Sequence, residues 1–91
     1  MKNVQKTDAV LLQMIDLLRD GGANDWANLL EELRCEMHAE PSDAASKILS
    51  LFGGMGSLND VVLYKNGVPL VAENDELFKL SALLFESCRQ P

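Results

Sequence analysis

Apolar residues recur at spacings of three and four over residues 7–20: Val10, Leu11, Met14, Ile15, Leu17 and Leu18. That spacing lines one face of a helix. Thr7 or Asp8 stands where a side-chain oxygen can cap the first turn. Gly21-Gly22 follows the last apolar residue and suits a helix C-terminus. The pattern restarts at Asn24 or Asp25 and runs to about Met37. Trp26, Leu30, Leu33 and Met37 share a face there, with Leu29 beside them. Pro41 disfavours helical backbone in the residue before it, so this helix should end by about Ala39. Ser42 then caps a third, shorter helix, with Pro41 just outside and Ala44, Ala45, Ile48, Leu49 and Phe52 on its apolar side. Gly53 is its expected stop.

The period changes after Gly53. Gly53-Gly54-Met55-Gly56 favours neither helix nor strand, and Ser57-Leu58-Asn59-Asp60 reads as a tight turn with polar side chains bonding local backbone. Val61–Tyr64 is β-branched and aromatic. Asn66-Gly67 follows, the strongest short-range hairpin signal, since both turn residues need positive φ. Val68–Val71 is the expected return strand, at an edge because Pro69 lacks an N–H. The last helix opens within Ala72–Glu76 with Asn74 as its expected cap. Leu77, Leu80, Leu84 and Cys88 form its core stripe, with Phe78, Leu83 and Phe85 alongside.

These elements make an α+β domain, mainly helical, in the order α-α-α-β-β-α, with one β-hairpin packed on the helices. Ninety-one residues leave room for one domain, spanning 1–91. Hydrophobic residues at 47% and charged residues at 24% are ordinary globular values. No run approaches the roughly 18 apolar residues of a membrane span. The first residues lack the apolar core of a secretory signal, so a cytoplasmic setting is the expectation. Cys35 and Cys88 are too few for a disulfide scaffold and are expected as reduced, buried or partly buried residues.

Charge narrows the function classes. The formal net charge is −6, which works against nucleic acid and anionic membranes as partners, because both need a basic footprint. Residues 1–45 carry −5 of it and residues 46–91 carry −1. Glu32, Glu36 and Glu40 step along the second helix at intervals of four, with Asp25 and Glu31 close by. Such a ridge is either a solvated face or a surface complementary to a basic protein, whose association the field would steer.

Candidate chemistry is thin. Gly54, Gly56, Ser57, Asn59 and Asp60 could form a loop of functional use, and glycines there could admit a close backbone or cradle an anion. However, no lysine follows, the segment runs from helix to strand, and Asp60 would repel phosphate. The bland reading is a helix stop and a turn leading to the hairpin. Cys35-x-x-His38 places a thiol and an imidazole on adjacent helical turns, but zinc needs four ligands and no second pair exists. No nucleophile-elbow pattern appears, and His38 is the only histidine. No enzyme activity, cofactor or metal is expected.

Residues 53–63, Gly-Gly-Met-Gly-Ser-Leu-Asn-Asp-Val-Val-Leu, together with Asp25-Trp26-Ala27 and Glu73-Asn74-Asp75, carry a resemblance. They resemble a family of small bacterial proteins of unknown function that share a Gly-Met-Gly-Ser-aromatic/Leu-Asn-Asp-Leu/Val-Val-Leu segment. The resemblance covers roughly residues 24–88. It implies a bacterial origin and a single compact domain, and no activity. The expectation for function is a small acidic protein-binding module, such as an inhibitor or a toxin-immunity protein, with Asp25, Glu32, Glu36 and Glu40 facing a basic partner. The alternatives are a homodimeric structural protein using the hairpin edge and a small-ligand binder at the 53–60 loop.

Overall fold

The computed structural model describes residues 4–53 and 56–89. Four helices, α1 (Val4–Asp20), α2 (Asn24–Ala39), α3 (Pro41–Leu49) and α4 (Val71–Arg89), enclose the core. A 3-10 turn at Leu58–Asp60 and a hairpin of β1 (Tyr64–Lys65) and β2 (Val68–Pro69) lie between α3 and α4. The order of helices and strands is as the periodicity predicts. α1 packs on α2 and α4, and α3 packs on the same two helices, so the four close a ring. Leu11, Met14, Leu18, Leu30, Met37, Ile48, Leu63 and Leu84 sit fully buried inside it.

α1 is already helical at Val4, three residues before the first capping candidate, Thr7. Thr7 does not cap it: the residue is buried inside the helix, and its hydroxyl pairs with that of Ser87 on α4. Asp8 does not cap it either, for its carboxylate reaches across to α2. The C-terminus follows expectation. Gly22 takes φ +79, Ala23 N–H donates to Leu18 carbonyl at 2.8 Å, and Gly22 N–H donates to Arg19 carbonyl at 3.2 Å. These paired bonds satisfy carbonyls that the helix end would leave bare. Gly21 has a different reason to be glycine. A Cβ there would lie 2.6 Å from Leu63 Cβ.

Pro41 is the first residue of α3 rather than a residue outside it, and Glu40 takes the cap position in place of Ser42. Proline suits that first position, where its missing N–H has no helical partner to lose. α3 ends at Leu49, so Phe52 lies beyond the helix, and Gly53 terminates the following turn, not the helix itself.

The hairpin is shorter than its sequence suggests. Tyr64 pairs with Pro69 and Lys65 with Val68, and beyond them the pairing continues by one bond, from the Leu70 N–H to the Leu63 carbonyl at 2.9 Å. Asn66 (φ 54) and Gly67 (φ 77) both take the left-handed conformation the turn needs. Further extension stops there: Val61 N–H closes the 3-10 turn on Leu58, and the Leu63 N–H goes to the Asn74 side chain, which shares the Leu63 carbonyl with Leu70. On the return side, Val71 already belongs to α4. Asn74 is therefore an in-helix residue and not the cap.

Candidate functional site

α4 carries two apolar stripes. Leu77, Leu80, Leu84 and Cys88 enter the core as expected. Phe78, Ala82 and Phe85 form a second stripe, rotated by about a third of a turn. Phe78 keeps 74% of its surface in solvent. Across from this stripe the chain leaving α3 brings Phe52 and Gly53, and the 3-10 turn brings Asn59. Together with Ser81 they bound an open groove of about 690 Å³. A smaller recess beneath Val61, Val62 and Leu77 continues it, sharing Asn59, Phe78 and Ser81.

Local hydrogen bonds hold the groove's far wall. Leu58 N–H donates to Leu51 carbonyl at 2.8 Å, pinching together the two ends of the glycine-rich excursion. Gly56, at φ +74, donates its N–H to Asp60 Oδ2 at 2.9 Å, and Asp60 N–H donates to Ser57 carbonyl at 3.0 Å. Phe52 then meets Phe85 edge to face, with ring centroids 5.2 Å apart and planes at 71°. That geometry favours the quadrupoles of both rings. Two polar groups interrupt the apolar lining. Asn59 stands exposed at the edge, and Ser81, only 6% exposed, lies at the floor with its hydroxyl unbonded to other described residues.

The residues singled out from sequence fall into separate places. Asn59 joins the groove. Gly56 and Asp60 bond one another as turn architecture, and Ser57 is buried with its hydroxyl oxygen unpartnered. No neighbour lies within 4 Å of a Cβ built on Gly53 or Gly56, so positive φ explains these glycines, not a close backbone. Gly54 lies outside the described residues.

The acidic residues differ in their surroundings. Glu36 is tied to Lys47 of α3 at 2.8 Å, and that bond, with the carboxylate's charge, raises the lysine's proton affinity. Asp25, Glu32 and Glu40 stay exposed, and Glu40 sits at the α2–α3 corner beyond the helical ridge. Glu31 leans toward Arg34 and Arg19. Asp8 accepts from Arg34 Nε at 2.8 Å and stands 3.1 Å from His38 Nε2, linking α1 to α2. Burial opposes the Asp8 charge, but its hydrogen bonds to Arg34 and His38 outweigh burial and hold the carboxyl below the usual range.

Cys35 is exposed, against the expectation of a buried or partly buried thiol, because it points away from the face that Leu30, Leu33 and Met37 bury. His38 is committed to Asp8. No group of three or more metal-binding side chains occurs among the described residues. No described helix is long and apolar enough to cross a membrane.

The aromatic groove escaped the sequence reading, which placed Phe78 and Phe85 beside the core stripe. The available signal was Phe78 and Phe85 seven residues apart around Ala82, a helical repeat distinct from the leucine stripe.

No curated protein and no solved structure matches the chain. A family model does, from the end of α1 through the start of α4, so it takes in Phe52, Gly53 and Asn59 and stops before Phe78. Through residues 19–71 the chain belongs to the family described as a domain of unknown function, DUF6966.

Proposed function

We propose that the protein works by binding another protein chain and that the aromatic groove on α4 is the contact face. The observation that carries this reading is Phe78, a large apolar side chain 74% exposed at the wall of a groove and the most exposed large hydrophobic residue among those described. Aromatic residues are enriched where proteins meet, and contiguous apolar patches on small domains mark such faces.

The openness of the groove favours a protein over a small molecule. Its volume is in the range of ligand pockets, but those pockets bury most of a ligand's surface. A small molecule lying against Phe78 would stay largely in water. The setting we assign is the bacterial cytoplasm, on the resemblance of residues 53–63 and on two unpaired cysteines, which suit a reducing compartment.

A second face supports the narrower reading of an acidic module of the inhibitor or immunity type. Asp25, Glu32 and Glu40 are exposed and form no ion pair among the described residues, on the half of the chain that carries most of the charge. A basic protein would be steered to it.

Affinity capture with three baits separates the two faces: wild type, Phe78→Ser, and the triple variant Glu32→Lys, Glu36→Lys, Glu40→Lys. An untagged copy of the chain is included among the candidates for capture. The groove reading expects a stoichiometric partner that Phe78→Ser loses and the triple variant keeps. The reverse pattern moves the contact to the acidic face, and capture indifferent to Phe78→Ser overturns the groove reading.

A further inference from the structure

We infer that the groove's occupant is a second copy of this chain, with α4 of one protomer packed antiparallel on α4 of its partner about a two-fold axis at Ala82. The inference rests on the groove being the contact face and adds what fills it.

The α4 stripe is complementary to its own reversal. Asp75 lies seven residues before Ala82 and Arg89 seven residues after it, on the same helix face as Phe78 and Phe85. Each is about two turns, roughly 10 Å, from the centre. An antiparallel copy centred on Ala82 therefore sets Asp75 of one chain against Arg89 of the other, twice. It also brings each Phe78 to the other chain's Phe85 and Ala82. A two-fold contact demands this property: if one residue meets another, the reverse pair must also meet. Ala82 itself is exposed and presents only a methyl group, so two helix axes can approach closely at the crossing.

Shape and charge agree with this. Phe78 projects beside a groove of the kind that would receive it, so knob and hole lie on one face. The like charges that would oppose self-association lie elsewhere. Residues 46–91, which build the groove, carry −1 in sum, and the −5 of residues 1–45 sits mainly on α1 and α2. Repulsion between such distant exposed charges is largely screened at physiological salt, where fields decay over ~8 Å. Arg89 now bonds Glu86 of its own helix at 2.8 Å, an exposed pair that can share the guanidinium with an incoming carboxylate.

Sedimentation of the full chain over a micromolar concentration series tests the inference, with folding of each variant checked by circular dichroism. Wild type should reach twice the 10.0 kDa chain mass. Phe78→Ser should weaken dimerisation about a hundredfold, as loss of a central aromatic contact does. Asp75→Arg alone and Arg89→Asp alone should each weaken it about tenfold, and the double exchange should restore it, because opposed charges are re-paired. A wild-type mass that stays monomeric overturns the inference, as does a dimer indifferent to Phe78→Ser or one that the double exchange fails to rescue. A monomer that still loses a captured protein on Phe78→Ser leaves the groove reading standing and denies only the second copy.

Discussion

The Asn74 side chain holds both backbone polar groups of Leu63. Its Oδ1 accepts the Leu63 N–H at 2.7 Å, and its Nδ2 donates to the Leu63 carbonyl at 3.2 Å. The Leu63 carbonyl also accepts the Leu70 N–H at 2.9 Å, so the carboxamide completes for Leu63 the pairing that the return side supplies only in part. Asn74 fastens the chain entering the hairpin to the first turns of α4, and Leu63 is driven fully into the core against Gly21.

Replacing Asn74 tests that role. Asn74→Ala leaves the Leu63 N–H without a partner in a part-buried place, which should cost about 1–3 kcal/mol. Asn74→Asp can still accept the N–H and cannot donate to the carbonyl, so its loss should be smaller. Denaturant unfolding gives the order of the three proteins. Hydrogen exchange should show the Leu63 amide opening earlier in both variants than in wild type.

Gly21 offers a second test on the same contact. A Cβ at Gly21 would lie 2.6 Å from Leu63 Cβ and equally near Cδ2, and Leu63 Cβ is too close to its backbone to swing aside. Gly21→Ala should therefore destabilise by about 1–3 kcal/mol through overpacking. Gly22→Ala meets nothing within 4 Å and suffers only from φ +79, which should cost about 1 kcal/mol. Urea midpoints that place Gly22→Ala below Gly21→Ala would refute the close-approach account.

The helices were legible in the sequence because a helix is a local structure, and periodicity with Gly and Pro punctuation specifies it within a few residues. Expectations failed where long-range partners decided. Thr7 looked like a cap but is buried inside α1, where a hydroxyl on α4, eighty residues on, receives it. Asn74 looked like a cap too, but its own N–H already donates to Leu70 carbonyl, which freed the side chain for Leu63. The strands shortened for the same reason. Of the candidate site, only Asn59 carried over to the groove. The groove depends on Phe52 and Phe85 meeting across thirty-three residues, a contact no local pattern encodes.

The Asp8 network predicts the acid limb of the stability curve. Its carboxyl is held below the ordinary 3.8 by Arg34 and His38 despite burial. A depressed carboxyl stabilises the fold above its unfolded value, and that contribution is lost as pH falls through the folded value. Asp8→Asn should thus be less stable than wild type, by about 1 kcal/mol, from pH 5 to neutrality, with the difference vanishing in stronger acid. Lys47 gives the mirror case. Its hydrogen bond to Glu36 raises it above 10.5, so its contribution is full below that value and fades only in stronger alkali. Melting temperatures across pH for Asp8→Asn and Lys47→Met check both signs.

The two thiols should react on different clocks. Cys35 is exposed on α2, and Cys88 is buried where desolvation pushes its thiol up to about 11. Only the thiolate attacks a disulfide reagent. At pH 8 Cys88 is doubly protected, by access and by its small thiolate fraction, so an aromatic disulfide reagent should titrate one thiol per chain promptly. The second should follow the opening of α4 from the core, and denaturant should release it at once. In Cys35→Ser the fast phase should vanish and the slow one remain. Two equally fast thiols in the folded protein would mean that the end of α4 is not packed as described. That result would also remove the fixed Arg89 on which the antiparallel helix pairing depends.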